Sequence, residues 1–477
     1  MNTFNLIDSP WIPVRWHSTA SIPHGPLVSL DEAFRRGSEI ADLDCAPHER
    51  IALIRLLVCI THAALGAPKH EDDWGGFADN MAADVCNYLH REDVNPHFKL
   101  LGNGPRFLQM KQEKRGKGYE LCQLFFQLSS GNSPKLTDHW GEDPRPWSPA
   151  DAALGLLCLQ NFFVGGSMAS KVKGNGPALK SLQMLLVGES LAETVYRNCI
   201  DLVNLEQTGA NLGRPVWECG PDRNLLARLA PVSCALWLSD DCATTEIDHG
   251  YKYPEYEDYR DPFATTVTSK NSSRLLRANL EKGIWRDLHL LTNLQKSEGT
   301  AGPLNLQSFN DRRELSETTR FWVGELVKDE GTKAKIIDCV ESTFTVPHNL
   351  FTKFGQFTYS AGIDFCEKLA GNLTDAVKVY WQTVTDPDPK KAAPMKGKAE
   401  RHYWHTLDRE HLILIDLASH PEKREGQPEI GNASASDEWS TTVRNAAIAA
   451  YESACPRTNP RQLQAFAAGL RKLRLHT

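Results

Sequence analysis

Phe357–Val384 reads FTYSAGIDFCEKLAGNLTDAVKVYWQTV. Its apolar residues recur at helical spacing with no proline, so the stretch predicts one long helix. The Asp386–Lys391 segment, DPDPKK, stops it, because proline lacks the N–H that a continuing helix needs. Three more helical patterns follow, over Lys398–Ala418, Asp437–Ala454 and Pro460–Leu473. The last three patterns are separated by the polar stretches HPEKREGQPEIGNASAS (420–436) and CPRTNP (455–460). Helices of this length, joined this way, predict an antiparallel four-helix bundle.

Upstream of about Gly355 the character changes. Short apolar runs alternate with Gly and Pro punctuation, as in DSPWIPVRW (8–16), LLGNGPRFLQM (100–110) and GEDPRPWSP (141–149). That pattern suits an irregular mixed domain with long loops. Three helices are expected inside it: His48–Leu65, Pro149–Phe163 and Leu179–Leu205. The second carries a Ser148 cap and a proline at the first helical position. The predicted fold class is α+β: a large irregular mixed N-terminal domain over residues 1–354, then a C-terminal four-helix bundle over 355–477. No internal repeat stands out.

The chain has 477 residues, 41% hydrophobic and 24% charged, which is a globular composition too long for one ordinary core. Mean hydropathy is −0.41. The longest apolar stretches, Ile51–Leu65 and Ala150–Leu159, are interrupted and too short to span a bilayer. Met1–Arg15 has no basic segment followed by an apolar one, so no signal peptide is expected. Twelve cysteines are scattered singly and form no CxxC, which argues against a zinc ribbon. A reduced, cytoplasmic protein without a membrane partner is expected. The formal net charge of −7 argues against a free-standing nucleic-acid binder, because phosphate neutralisation supplies most of such a binder's affinity. A subunit that touches a few base pairs while partners hold the rest is compatible with it.

Asn161–Lys180, NFFVGGSMASKVKGNGPALK, holds four glycines, three lysines and no acid. Glycine lets a backbone approach a groove or phosphate closely; the plain alternative is a flexible loop. The second glycine of a Walker A loop is missing before Lys171, and Ser170–Lys173 matches S-x-x-K without any accompanying K-T-G. His402, His405 and His411 lie with Asp408 and Glu410 in RHYWHTLDREH. Their spacing brings them only loosely together, as on a solvated, salt-bridged helix face; a metal-dependent nuclease is the alternative they leave open. His70–Asp73 and Glu255–Asp261 are acidic loop clusters. Lys390, Lys391, Lys396, Lys398 and Arg401, and separately Arg461, Arg471, Lys472 and Arg474, form local basic patches. They read as charged bundle surface or as a track for a single strand.

Four landmarks carry a family resemblance: FNLIDSPWIPVRW (4–16), Glu49–Ile60, Pro105-Arg-Phe-Leu-Gln109 and Ala399-Glu-Arg-His-Tyr403. In order and nearly end to end, they resemble the CasA family, the large subunit of the type I-E CRISPR surveillance complex Cascade. The resemblance implies a subunit with no catalytic residue, metal or cofactor of its own. Its implied partners are double-stranded target DNA bearing a PAM, a guide RNA ribonucleoprotein, the backbone and small subunits, and a helicase-nuclease that it helps recruit. In such systems the guide reads sequence by pairing while protein inspects the PAM.

Carried over by position, Gly165, Gly166 and Ser167 fall on the family's glycine loop, with Lys171 and Lys173 beside it. Ser130, Gly131, Asn132, Ser133 and Lys135 fall on the loop that anchors the subunit near the guide RNA. Lys252 corresponds to the lysine finger, although its neighbours Glu255, Glu257 and Asp258 are acidic. Lys328, Asp329, Glu330 and Lys333 correspond to the strand-separating wedge, ahead of an expected helix over Ala334–Ser342. Relatives often carry Asn or Gln at that tip, so the PAM preference is expected to differ. Of the cysteine cluster some relatives carry, Cys234 and Cys242 remain, so no zinc is expected.

Overall fold

The computed structural model describes residues 4–474 apart from 21–24, 112–116, 127, 130–138, 141–146, 165–174, 254–259, 270–271, 295–299, 313–316, 329–335, 385–391, 425, 427, 431 and 433–434. The fold is α+β. The chain divides into two compact units. One comprises residues 1–280, 294–315 and 319–345, the other residues 281–293, 316–318 and 346–477.

The first unit is organised around the Pro47–Leu65 helix. Every residue from Ile51 to His62 is buried, the apolar run and the Arg55 within it alike. Pro47 occupies the first turn, and the Glu49 carboxylate accepts the Ala46 N–H at 2.9 Å to complete its start. The helices Asp73–Leu89, Pro149–Phe162, Leu191–Arg197 and Leu225–Leu229 pack around it. Small sheets surround this helical centre. Ile12–Trp16 is the middle strand of one, paired antiparallel with Leu27–Val28 and Ile40–Leu43. Trp11, just before it, is buried, donates its indole N–H to the Leu6 carbonyl at 3.1 Å and lies 6.4 Å from the Phe107 ring. Two of the quoted landmarks therefore meet in one core.

The expected helix over Leu179–Leu205 does not form as one piece. Gln183–Leu186 is a strand, and short helices cover Leu191–Arg197 and Leu202–Glu206. Ser190 and Asp201 each accept a backbone N–H as caps, so each stretch starts a new element. Ala334–Ser342 is likewise no helix, since a strand runs from Ile336 to Pro347. Ile336, Ile337, Val340, Thr343 and Thr345 are β-branched and suit a pleated surface, and the Thr318–Lys328 strand beside them provides the pairing.

In the second unit the bundle helices span Lys353–Val384, Ala393–Ser419, Glu438–Ala454 and Pro460–Arg474. The second starts earlier than Lys398 because Pro394 fits its first turn. The first helix touches the other three, and the second packs on the third. Its buried face includes Tyr359, Ile363, Cys366, Leu369, Leu373 and Tyr380, an i, i+3, i+4 stripe. A Cβ at Gly362 would lie 2.4 Å from a Leu414 methyl, so glycine here sets how closely the second helix approaches. The hydroxyls of Tyr359, Tyr380, Tyr403 and Tyr451 donate to the carbonyls of Trp285, Pro456, Cys366 and Phe466 at 2.6–3.0 Å, which offsets their burial.

The 281–293 piece docks on this bundle through aromatic and ionic contacts. Trp285 donates to Asp408 at 2.7 Å, stacks on His411 at 5.7 Å and meets Trp439 edge-on at 6.0 Å. Arg286 lies 3.5 Å over the Trp404 ring and pairs with Glu367.

Candidate nucleic-acid interface

The glycine-rich stretch leaves the end of the Pro149–Phe162 helix. Ser148 and Asp151 cap its start reciprocally, at 3.0 and 3.1 Å, and residues from Ala152 onward are almost all buried, so the helix is a firm support. Gly165, Gly166, Ser167, Lys171 and Lys173 lie outside the described residues. The neck on either side of them is closed by backbone bonds. Gly176 donates to Phe163 at 2.7 Å and Ala178 to Asn161 at 3.1 Å. A Cβ on Gly176 would sit 2.3 Å from the Asn161 carbonyl oxygen, so only glycine lets the returning chain lie this close.

Lys252 is exposed and follows Gly250–Tyr251 out of the Thr244–His249 strand. Its neighbours hold the backbone. Tyr251 donates its N–H to Val232 at 3.0 Å, and the buried Tyr253 hydroxyl accepts the Val232 N–H at 3.0 Å. The two tyrosine rings meet edge-on at 4.8 Å. Glu255, Glu257 and Asp258 lie outside the described residues.

Lys328 ends the Thr318–Lys328 strand, half-buried, and its carbonyl accepts from Arg277 at 3.3 Å. Asp329, Glu330 and Lys333 lie outside the described residues. The strand after them is hydrogen-bonded to Thr318–Lys328, so the segment joins two neighbouring strands and not a strand and a helix. Such a short connection makes the pair antiparallel. Within this pair, Glu325 is buried; it accepts the Ala278 N–H at 2.6 Å and faces Arg277 at 3.5 Å. Burial pushes its carboxyl up to about 7, against the pull of those two partners.

Ser130, Gly131, Asn132, Ser133 and Lys135 also lie outside the described residues. The chain around them is closed by two short parallel strands, with Leu128 opposite His139 and Ser129 opposite Trp140.

Sequence reasoning missed the residue that ties three of these supports together. Arg55 is fully buried in the Pro47–Leu65 helix. Its Nε donates to the Asn161 side chain at 3.1 Å, beside the glycine neck. One terminal nitrogen reaches Asp261 at 2.8 Å and Gln183 at 3.2 Å, and the other reaches the Arg228 carbonyl at 3.1 Å. Asp261 follows the segment that begins at Lys252. Gln183 lies opposite Gly324 on the strand that ends at Lys328. The signal was a single arginine inside IALIRLLVCI: a charge in a run that must be buried needs partners.

The histidine cluster offers a poorer site. His402 and His405 are exposed, the His411 ring bonds to the Asp408 carbonyl at 2.9 Å, and Asp408 is engaged by Trp285. Among the described residues no three His, Cys, Asp or Glu side chains stand close enough to hold a metal ion, and no helix is long and apolar enough to cross a membrane. Cys234 and Cys242 are both buried, the former against Gln160 at 3.6 Å. Of the basic patches, Lys398 donates to the Ser453 carbonyl at 2.6 Å and Arg461 to the Thr383 carbonyl at 3.4 Å, as bundle surface does.

The sequence matches the family of CRISPR-associated protein Cse1 over residues 5–450. It is 26% identical over 452 residues to the CRISPR-associated protein CasA/Cse1 of Thermus thermophilus, covering 86% of each chain. The fold is similar to that of Cse1 from Acidimicrobium ferrooxidans, with a TM-score of 0.78 and 18% identity, covering 100% of this chain and 98% of that one. It is also similar to a chain of a CRISPR RNA-guided surveillance complex, with a TM-score of 0.76 and 18% identity over 99% of this chain and 100% of that one. The match spans both units and nearly the whole sequence, so the chain belongs to the CRISPR-associated Cse1 family.

Proposed function

We propose that this chain is the large, non-catalytic subunit of an RNA-guided DNA surveillance complex. In this reading, guide RNA on partner subunits reads the target by pairing. This chain inspects the PAM in duplex DNA, opens the first base pairs and helps recruit a helicase-nuclease. Gly165–Ser167 let the backbone approach the PAM nucleotides, with Lys171 and Lys173 beside them. Lys252 enters the minor groove, where A·T pairs present chiefly acceptors and G·C pairs add an amino donor, so a lysine reads coarsely. Lys328–Glu330 and Lys333 prop the duplex open, and Ser130–Ser133 with Lys135 anchor the chain near the guide RNA.

The observation that carries this reading is the common support: the glycine neck, the segment after Lys252 and the strand ending at Lys328 all bond to or flank partners of one buried guanidinium. Loops that act on one short stretch of duplex need such a shared rigid base. Family membership and the likeness to a chain of a surveillance complex support the assembly context.

The test is binding of the assembled complex, with and without this chain, to duplexes carrying one protospacer and randomised flanking bases. A narrow set of flanks should be enriched only when the chain is present. Equal enrichment by the complex lacking it would leave the chain a scaffold.

A further inference from the structure

We infer that Arg55 is a positioning residue that makes PAM discrimination depend on the three loops jointly. This inference rests on the proposed function and deepens it. The stretch from Ile51 to Ile60 is otherwise apolar, and an arginine there is costly to bury unless its donors are used. Its donors are spread over four separate segments: Asn161, Gln183, Arg228 and Asp261. A buried ion pair is a poor way to gain stability compared with apolar packing of the same volume. What this arrangement provides is direction. The guanidinium is a rigid planar fork, so displacing one partner misaligns the others.

Three of the four partners lead to different loops. The Asn161 side-chain oxygen accepts a hydrogen bond from the Arg55 Nε–H, and its backbone carbonyl accepts the Ala178 N–H that closes the glycine neck. Asp261 also accepts the Phe263 N–H at 3.1 Å, which fixes the turn after the Lys252 segment. Gln183 passes a second bond to Ser181 at 2.7 Å and sits in register with Gly324. A displacement at any one of these anchors therefore reaches the other two through a single group. Coupling of this kind is a free energy shared between sites.

The test replaces the charges together, Arg55→Met with Asp261→Leu, because an apolar pair of similar volume commonly keeps or raises stability where a single change leaves a buried charge. The variant is assembled into the complex, and affinities for PAM-bearing and PAM-less duplexes are measured beside the melting temperature. The ratio of the two affinities should fall by at least about fivefold, the low end of coupling between linked sites, in a variant that still folds and assembles. A stable variant with the wild-type ratio overturns the inference. Gln183→Met removes the tie from Arg55 toward the Lys328 strand, together with the bond to Ser181, and keeps the measurement decisive if the double variant does not fold. It should lower the ratio without changing assembly, and an unchanged ratio again overturns the inference. Gly166→Asp is run in parallel. If it lowers the ratio while the Arg55 and Gln183 variants do not, the coupling fails and the PAM-reading proposal stands. If Gly166→Asp also has no effect, both fail.

Discussion

Acid should reveal His62 as a histidine that the fold keeps neutral. Near the end of the Pro47–Leu65 helix, its Nδ1 lies 2.8 Å from the Gly66 carbonyl, and its Nε2 lies 3.0 Å from the Ile200 N–H. A carbonyl only accepts and an amide N–H only donates, so Nδ1 carries the proton and Nε2 must keep its lone pair. Protonation would break the Ile200 bond and place a charge in a site only 1% exposed. Burial, the largest influence, pushes the ring down from 6.5 to about 4, and Arg312 adds to it against the Gly66 bond. The unfolded chain takes the proton below 6.5, so this contribution is complete above that pH and is lost as pH falls toward 4. The shift corresponds to about 3 kcal/mol in all. His48, also pushed down to about 4, acts in the same direction. Glu325 acts the other way: its raised carboxyl contributes stability that is complete below 4.5 and is lost as pH rises through about 7. The wild-type profile alone therefore mixes opposed terms. His62→Gln separates them, because Gln offers one acceptor and one donor and does not titrate. Urea unfolding of both proteins at pH 6.5 and 4.5 should show their stability gap change by about 2 kcal/mol in favour of the variant at the lower pH. A constant gap, or a His62 ring resonance that titrates near 6.5, would refute the assignment.

Three further outcomes follow from single contacts. Gly176→Ala forces a Cβ against the Asn161 carbonyl and strains the two bonds that close the neck; loss of both would cost about 2 kcal/mol. PAM-duplex binding should weaken as the melting temperature falls. Trp285→Ala removes the ring that Asp408, His411 and Trp439 enclose, and should destabilise the bundle unit by about 3–5 kcal/mol in denaturant titrations. Lys252→Ala should lower affinity for PAM-bearing duplexes by about 1–3 kcal/mol and for PAM-less ones by less; equal losses would reduce Lys252 to a phosphate contact.

The sequence exposes what short-range rules control. The bundle helices, the Ser148–Pro149 start and the buried Pro47–Leu65 helix follow from periodicity, caps and apolar content. The failures are non-local. Gln183–Leu186 is a strand because Phe321–Gly324 pair with it, and the helix over Ala334–Ser342 expected with the resemblance gives way to a strand that pairs with Thr318–Lys328. Arg55 reaches partners 106, 128 and 206 residues away, and no window along the chain shows such a group. Trp285 and Arg286 join the bundle from before it in sequence, where the pattern offers only a short apolar turn. The loops assigned by resemblance were legible as position and composition alone.

The net charge of −7 constrains how such a chain meets DNA. Many of its arginines are already used inside the protein, as with Arg106 against Trp237 and Asp240, Arg312 over Trp74, and Arg286 over Trp404. The cations that the proposed DNA-contacting loops carry are Lys171, Lys173, Lys252, Lys328 and Lys333. Each phosphate neutralised contributes about −0.9 to the slope of log affinity against log salt, so five contacts set a bound of about −4.5. Weak, local attraction suits a reader that must leave wrong sites quickly while base pairing supplies the lasting affinity. Adding this chain to the rest of the complex should therefore steepen the salt dependence of PAM-duplex binding by no more than that bound. Lys252→Ala should remove about one unit if the lysine meets a phosphate and almost none if it meets a base edge. A steepening of about −10 would mean that surfaces outside these loops carry the contact, and the basic patches of the bundle would then be the place to look.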